Sequence, residues 1–412
     1  MASAFATQEV HFSDEGAFCE NADSPGTNTY SKRIPVLSVD SGPPDQDRQA
    51  DGSLQSRQNE SRPGFLGPKG GGEFGFTTHL PGYGATTASG ALAETWFQQL
   101  LSDGLGGSNV AEVGAACTAG SDATYFTYAT GGTAVAHGAI RVGAKGDGRA
   151  DGQFVVPGSI DAFRNVTLLT AMAGTPTNAD TMFAAQVAYP IETVGVSKRF
   201  WHGRTDSGAQ YHFLGCHLNS LKMNFPIGGL PTVNWGYRYA YWARSAIAMP
   251  TASSMEVCEV APIAGGSVYL QTVGTATRSV ISPSEINLSL DIGLAEQVGP
   301  AAGMGTYQYI HNFSRLRCIP TVSFLVPWST TYDGSLYTAD GTDTTHKHIL
   351  VSLSCGNSTA CGFYMPRCYP VGPVPAIENY NGMSYQRLTY RGREGAVTTS
   401  DLTRSAIRFF TA

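Results

Sequence analysis

The chain has 412 residues, enough to bury a sizeable core and, on length alone, to form two or three domains. Charged residues are 14% of it and hydrophobic ones 42%, with 49 Gly and 19 Tyr, a balance that suits short strands and turns more than helices. The formal charge of −6 is uneven: residues 1–62 hold ten acids and five bases, while the other 350 hold 22 and 21, so the body is nearly neutral and lacks the basic balance expected of a protein that grips a phosphate backbone.

The N-terminus, MASAFATQEVHFSDEG, has no basic region followed by an apolar core, so no secretory signal is expected. Apolar runs are well short of 18 residues, so no membrane span is expected. In residues 1–62 only Ile34-Pro35-Val36-Leu37-Ser38-Val39 reads as able to pair in a sheet, and the segment is expected to be an extended arm. A turn-rich stretch then leads into a strand at Glu73–Leu80. The best helix candidate is Ser89–Asp103, where Leu92, Trp96, Leu100 and Phe97, Leu101 share one face, with Ser89 as N-cap and Gly104 just past the end. Residues 104–198 are rich in Gly, Ala and Thr, with weak strand signals at Thr124–Tyr128, Gln153–Val156 and Val166–Ala171 and a Gly-Asp-Gly turn within 143–152; they are expected to form an insertion.

The stretch from Tyr211 to Trp242 reads as two long strands joined by the Pro226–Pro231 connection. Val233, Trp235, Tyr237, Tyr239 and Tyr241 alternate with Thr232, Asn234, Gly236, Arg238 and Ala240, a period of two that no helix produces. In the preceding strand the apolar phase switches from Leu214, Cys216, Leu218 to Leu221, Met223, Phe225, which predicts a β-bulge near Asn219-Ser220. Met255–Val260 and Ser267–Val273 follow as strands. Ile286, Leu288, Leu290 and Ile292 then alternate with Glu285, Asn287, Ser289 and Asp291, the clearest half-buried strand in the chain. Leu316–Val326, His348–Cys355, Gly362–Met365 and Ala406–Phe410 complete the expected strands, and weak echoes between the halves raise an internal duplication.

Sites of chemistry are poorly supported. His202, Asp206 and His212, or His346 with His348, are the most tempting metal donors, but they lack a recognised ligand spacing. There is no G-x-S-x-G elbow and no phosphate-cradling Gly loop. Glu285 and Asp291 lie about 20 Å apart along a strand, too far for a glycosidase pair. No catalytic residue, metal or cofactor is therefore assigned. Of the eight cysteines none forms C-x-x-C; free thiols are expected, with Cys216 and Cys318 as small buried hydrophobes, although spacing alone allows Cys355–Cys361 or Cys361–Cys368. The ladder Trp235, Tyr237, Tyr239, Tyr241 is expected to face the core; if exposed it could bind glycans, which defines the alternative reading of a surface or virion β-sandwich.

The wording of several segments resembles tail tube proteins of long-tailed (siphovirus-type) bacteriophages. GCHLNSLKMNFPIGGL is similar to a recurrent G-C-x-[VL]-N-S-L strand and hairpin of that family. GGEFGFTTHLPG at 71–82, SEINLSLDIGLAEQVG at 284–299, CGFYMPRCYPVG and the closing SAIRFFTA agree with it in the same order. The resemblance implies a mainly β fold over 63–412: a β-sandwich or partly rolled barrel with one flanking α-helix, whose edge strands pair between subunits to close an inner β-barrel. It implies a non-enzymatic virion subunit in stacked, usually six-fold rings, assembled in the host cytoplasm with tape measure, tail tip and terminator proteins. The resemblance further implies that double-stranded DNA passes through without tight binding and that no membrane insertion is involved. A contractile-tail tube or a tail completion protein is the nearest variant. On this reading Glu285, Asn287, Ser289 and Asp291 face the lumen, and Ile34, Val36, Leu37 and Val39 in the arm serve the subunit or ring interface.

Overall fold

The structure is a computed structural model that describes residues 8–16, 18–19, 32–40, 48–49, 65–66, 71–80, 96–110, 115–116, 125–127, 140–143, 154–160, 165–169, 181–204, 210–245, 265–273, 278–299, 310–329, 346–354, 360–372, 376–394 and 401–411. Its backbone is one wide run of eight antiparallel strands. Their order is Val36–Asp40, Gly72–His79, Thr232–Tyr239, Gln210–Pro226, Glu285–Val298, Ile310–Pro327, Met383–Gly392 and Ala376–Tyr380. The run belongs to a larger hydrogen-bonded network that, among the described residues, does not close into a barrel.

Alternation along these strands gives the wide sheet one apolar and one polar face. Phe74, Phe76, Val233, Trp235, Tyr237, Leu221, Met223, Ile286, Leu288, Leu290 and Val322 are buried together. Two layers cover them. A flanking sheet runs Lys32–Ile34, Gln8–Asp14, Lys198–Arg204, the first half of Gln210–Pro226 and Tyr241–Ser245. Its Phe213 stacks on Phe74 with centroids 4.6 Å apart, and its Phe200 meets Tyr237 at 4.6 Å. The second layer runs from Arg278–Ile281 through Gly265–Thr272, Lys347–Ser354, Ala360–Pro370, Arg408–Thr411 and Gln186–Pro190 to Gly106–Val110. It joins the wide sheet where Cys368–Pro370 pairs with Tyr390–Gly392.

The strand Gln210–Pro226 serves both sheets and so has to turn a corner. The corner falls at Gly215, whose φ of +62° only glycine adopts without strain. The expected bulge is present: the register shifts between Leu218 and Ser220, which carries the apolar residues on both sides of it to the same core. The companion strand is shorter than expected. It ends at Tyr239, and Tyr241–Ser245 pairs back onto Gln210–Leu214 in the flanking sheet.

The helix spans Trp96–Leu105, with Trp96, Phe97, Leu100 and Leu101 buried; Ser89 and Leu92 lie outside the described residues. Phe97 meets the Trp235 ring edge-on at 5.4 Å. Gly104 is inside the helix rather than beyond it, and the left-handed residue is Gly106, φ +89°. The end is held by Arg315, which donates at 2.7 Å to the carbonyls of Gly104, Leu105 and Ile191, so a distant cation satisfies groups that a cap normally would.

One expectation is corrected by the chain's non-local pairing. Gln8–Asp14 is a strand of the flanking sheet with Val10 and Phe12 fully buried, so Ile34–Val39 is not the only pairing segment of the first 62 residues. Lys198, buried on the neighbouring strand opposite Asp14, is ion-paired to Asp14 and to the helix residue Asp103. A hairpin also went unanticipated: Ala376–Tyr380 and Met383–Gly392 meet through Asn381-Gly382, with φ +51° and +79°, the conformation that Asn-Gly favours in two-residue hairpins.

Within 104–198, Tyr125–Thr127, Phe154–Val155 and Asn165–Leu168 are strands close to the expected ones, in small three- and four-stranded sheets. Residues 144–153 and Met255–Val260 are outside the described residues. Cys361 and Cys368 are free thiols on one strand, about 23 Å apart by strand rise, so they do not bridge; Cys355 is outside the described residues.

Candidate functional site: the polar face and open edges of the wide sheet

Glu285, Asn287, Ser289 and Asp291 point away from the core, as their strand's alternation requires, the first three half-buried and Asp291 exposed. Neighbouring strands continue the same polar surface with Thr77, Asn234, Lys222, Ser323 and Thr389. Polar rungs cross it. Asn287 and Asn224 donate to Glu285 Oε1 at 2.8 and 3.2 Å, while Arg387 lies 3.7 Å from Glu285 Oε2. Arg387 also grips Glu378 with two hydrogen bonds of 2.6 and 2.9 Å, which holds that carboxyl below its usual range. Arg317 donates to Asp291 at 2.8 Å and Thr77 to Asn234 at 2.6 Å. The acids are thus largely matched by bases on their own wall. The strand of Glu285 contributes two acids to this face, and Arg317 and Arg387 on neighbouring strands pair with them.

The sheet's two edges differ from its middle. Val36–Asp40 and Ala376–Tyr380 each pair on one side only among the described residues. Leu37 is 52% exposed and Ile377 66% exposed, beside exposed Met383 and Tyr380. Of the four arm residues expected at an interface, Ile34 is buried in its own subunit's core, Val36 and Val39 pack partly against that core, and Leu37 projects outward. Ile377 and the Asn381-Gly382 hairpin escaped the sequence reading, although the Asn-Gly dipeptide between two alternating stretches was the signal that marks them.

The tempting donors do not converge. Trp201 lies opposite His212 and Tyr211 opposite His202, so the two histidines face opposite sides of the flanking sheet; Asp206 is outside the described residues. His348 shares a 2.7 Å hydrogen bond with the Tyr364 hydroxyl inside the second layer. Trp235, Tyr237, Tyr239 and Tyr241 are all buried, with the Trp235 indole donating to Thr78 Oγ1 at 3.1 Å, which leaves no aromatic platform there for a glycan.

A broad polar wall, an apolar underside and two edges open among the described residues define a β-sheet protein of structural type. The chain belongs to the phage tail tube family: the family model described as "Phage tail tube protein" matches residues 15–392. Proteins of this family are structural virion components that assemble into a tube with other tail proteins. No curated protein matches the chain.

Proposed function

We propose that copies of this chain form rings, closed by the open edges of the wide sheet, and that stacked rings make the conduit through which genomic DNA leaves the capsid. The observation that carries the reading is the wall itself: one face of eight strands is polar and charge-matched, the other is apolar and covered. Ring closure removes the exposed edges that otherwise invite uncontrolled pairing. A wall whose carboxylates and guanidiniums satisfy one another offers passing phosphates few free cations, so DNA slides without capture. Glu285, Asn287, Ser289 and Asp291 then face the channel. Val36, Leu37 and Val39 lie at an edge between subunits. Assembly in the host cytoplasm, with tape measure, tail tip and terminator proteins as partners, follows from the same reading.

Negative-stain micrographs of the purified chain test it: rings or tubes are expected, and compact monomers at high concentration count against it. The channel assignment is tested separately by Asp291→Lys in assembled particles. Slower DNA release with a steeper salt dependence is expected. Release at the wild-type rate and salt dependence places Asp291 outside the channel.

A further inference from the structure

The resemblance implies six subunits per ring, but the width of this sheet gives a different count. Eight strands form one continuous antiparallel run from Val36–Asp40 to Ala376–Tyr380. We infer that the ring closes with three copies of this chain, the Val36–Asp40 edge of each pairing with the Ala376–Tyr380 edge of the next. The inference rests on the tube reading and fixes its symmetry.

Three arguments support it. The first is direction. Every neighbouring pair in the run is antiparallel, and eight is even, so the two edge strands run in opposite senses. Rotation about an axis along the tube preserves those senses. Copies placed side by side therefore meet antiparallel, as every other pair in the wall does.

The second is the width of the channel. Strands about 4.8 Å apart, tilted about 40° to the barrel axis, give a backbone diameter that grows linearly with strand number. Two copies give a backbone about 32 Å across and a bore of about 22 Å once side chains are allowed for. A bare duplex about 20 Å across would have about 1 Å of clearance on each side there, less than one layer of its water. Three copies give about 48 Å and a bore of about 38 Å, wide enough for one duplex and its water. Six copies give about 96 Å, a bore that admits several duplexes abreast and guides none.

The third is that both edges carry apolar side chains that are exposed among the described residues. Leu37 stands on one edge; Ile377 and Tyr380 stand on the other, with Met383 beside them at the head of the next strand. Burial of such groups against a second copy supplies the driving force that backbone pairing alone lacks.

Rotational symmetry in top views of rings assembled from the full wild-type chain is the primary test. Three-fold averages are expected. Six-fold averages overturn the count while leaving the tube reading intact, whereas the absence of rings and tubes removes both. The edge assignment has its own readout. Ser38→Cys is combined in turn with Ile377→Cys, Glu378→Cys and Asn379→Cys, and the rings are oxidised, with the wild-type chain as background for its own eight cysteines. One register is expected to give a covalent ladder that stops at three subunits. A ladder that climbs to six overturns the count. Rings that form normally but cross-link at none of the three pairs overturn the choice of edges.

Discussion

The Glu15 carboxylate accepts hydrogen bonds from the Gly215 N–H at 3.1 Å and from the Cys19 N–H at 3.2 Å, so a residue near the N-terminus clamps the corner where the longest shared strand passes between sheets. Gly215 is there for two reasons. Its φ is +62°, and a Cβ at that position would lie 2.6 Å from Cys19 Sγ and 2.8 Å from the Phe18 ring. Gly215→Ala is therefore expected to cost about 2–4 kcal/mol, combining left-handed strain with overpacking. A denaturant midpoint unchanged from wild type would show that the corner relaxes freely.

Buried titratable groups set the pH profile. Burial, with help from nearby arginines, holds His212, His217 and His348 near a pKa of about 4. Each binds fewer protons folded than unfolded, so the stability they support is complete above about 6.5 and drains away as pH falls towards 4. Glu15 has the opposite sign. Burial raises its pKa to about 7, so its contribution is complete below about 4.5 and is lost as pH rises through 7. Three histidines outweigh one glutamate, and thermal stability should peak near neutrality and fall on acidification. Glu15→Gln should gain on wild type as pH rises from 5 to 8. Parallel melting curves at both pH values would contradict the assignment.

Trp96 is 1% exposed and wedged beside Phe97, which itself meets Trp235. Trp96→Ala should cost about 3–5 kcal/mol, the range for a deleted buried aromatic. A melting temperature within a degree or so of wild type would mean that the helix does not bind the wide sheet as described.

Removal of the first 40 residues takes Val10, Phe12 and Ile34 out of the core together with the Asp14 partner of buried Lys198. At about 2–5 kcal/mol for each large apolar side chain, the loss rivals the whole stability of an ordinary domain. The truncated chain is expected to lack a cooperative thermal transition. A sharp transition close to wild type would show that the body stands without its N-terminal strands.

Glu285 and Asp291 lie on the same strand face and should respond differently to a lysine. Glu285→Lys leaves two amide donors facing an ammonium and places it beside Arg387, at a cost of about 2 kcal/mol. Asp291 and its partner Arg317 are about 60% exposed, so Asp291→Lys should stay within about 1 kcal/mol of wild type. Equal effects in chemical denaturation would indicate that the Glu285 network is solvent-screened.

Alternation is a local property, because each strand sorts its own side chains between two faces. For that reason Thr232–Tyr239 and Glu285–Ile292 were legible residue by residue, and the bulge after Leu218 showed itself as a switch of apolar phase. The same logic turns the four polar residues from Glu285 to Asp291 away from the core, as the structure has them. Gln8–Asp14 was missed because its charged and polar residues masked the alternation of Val10 and Phe12, whose burial depends on a partner strand almost 190 residues away. The Asn381-Gly382 hairpin was legible in principle, since that dipeptide tolerates two successive positive φ angles. Strand order was not legible at all. That Val36–Asp40 and Ala376–Tyr380 bound one sheet, that Arg317 and Arg387 neutralise its acids, and that Gly215 turns its corner all depend on contacts between distant segments. Such contacts are chosen by the packing of whole sheets, and no local pattern in the chain encodes them.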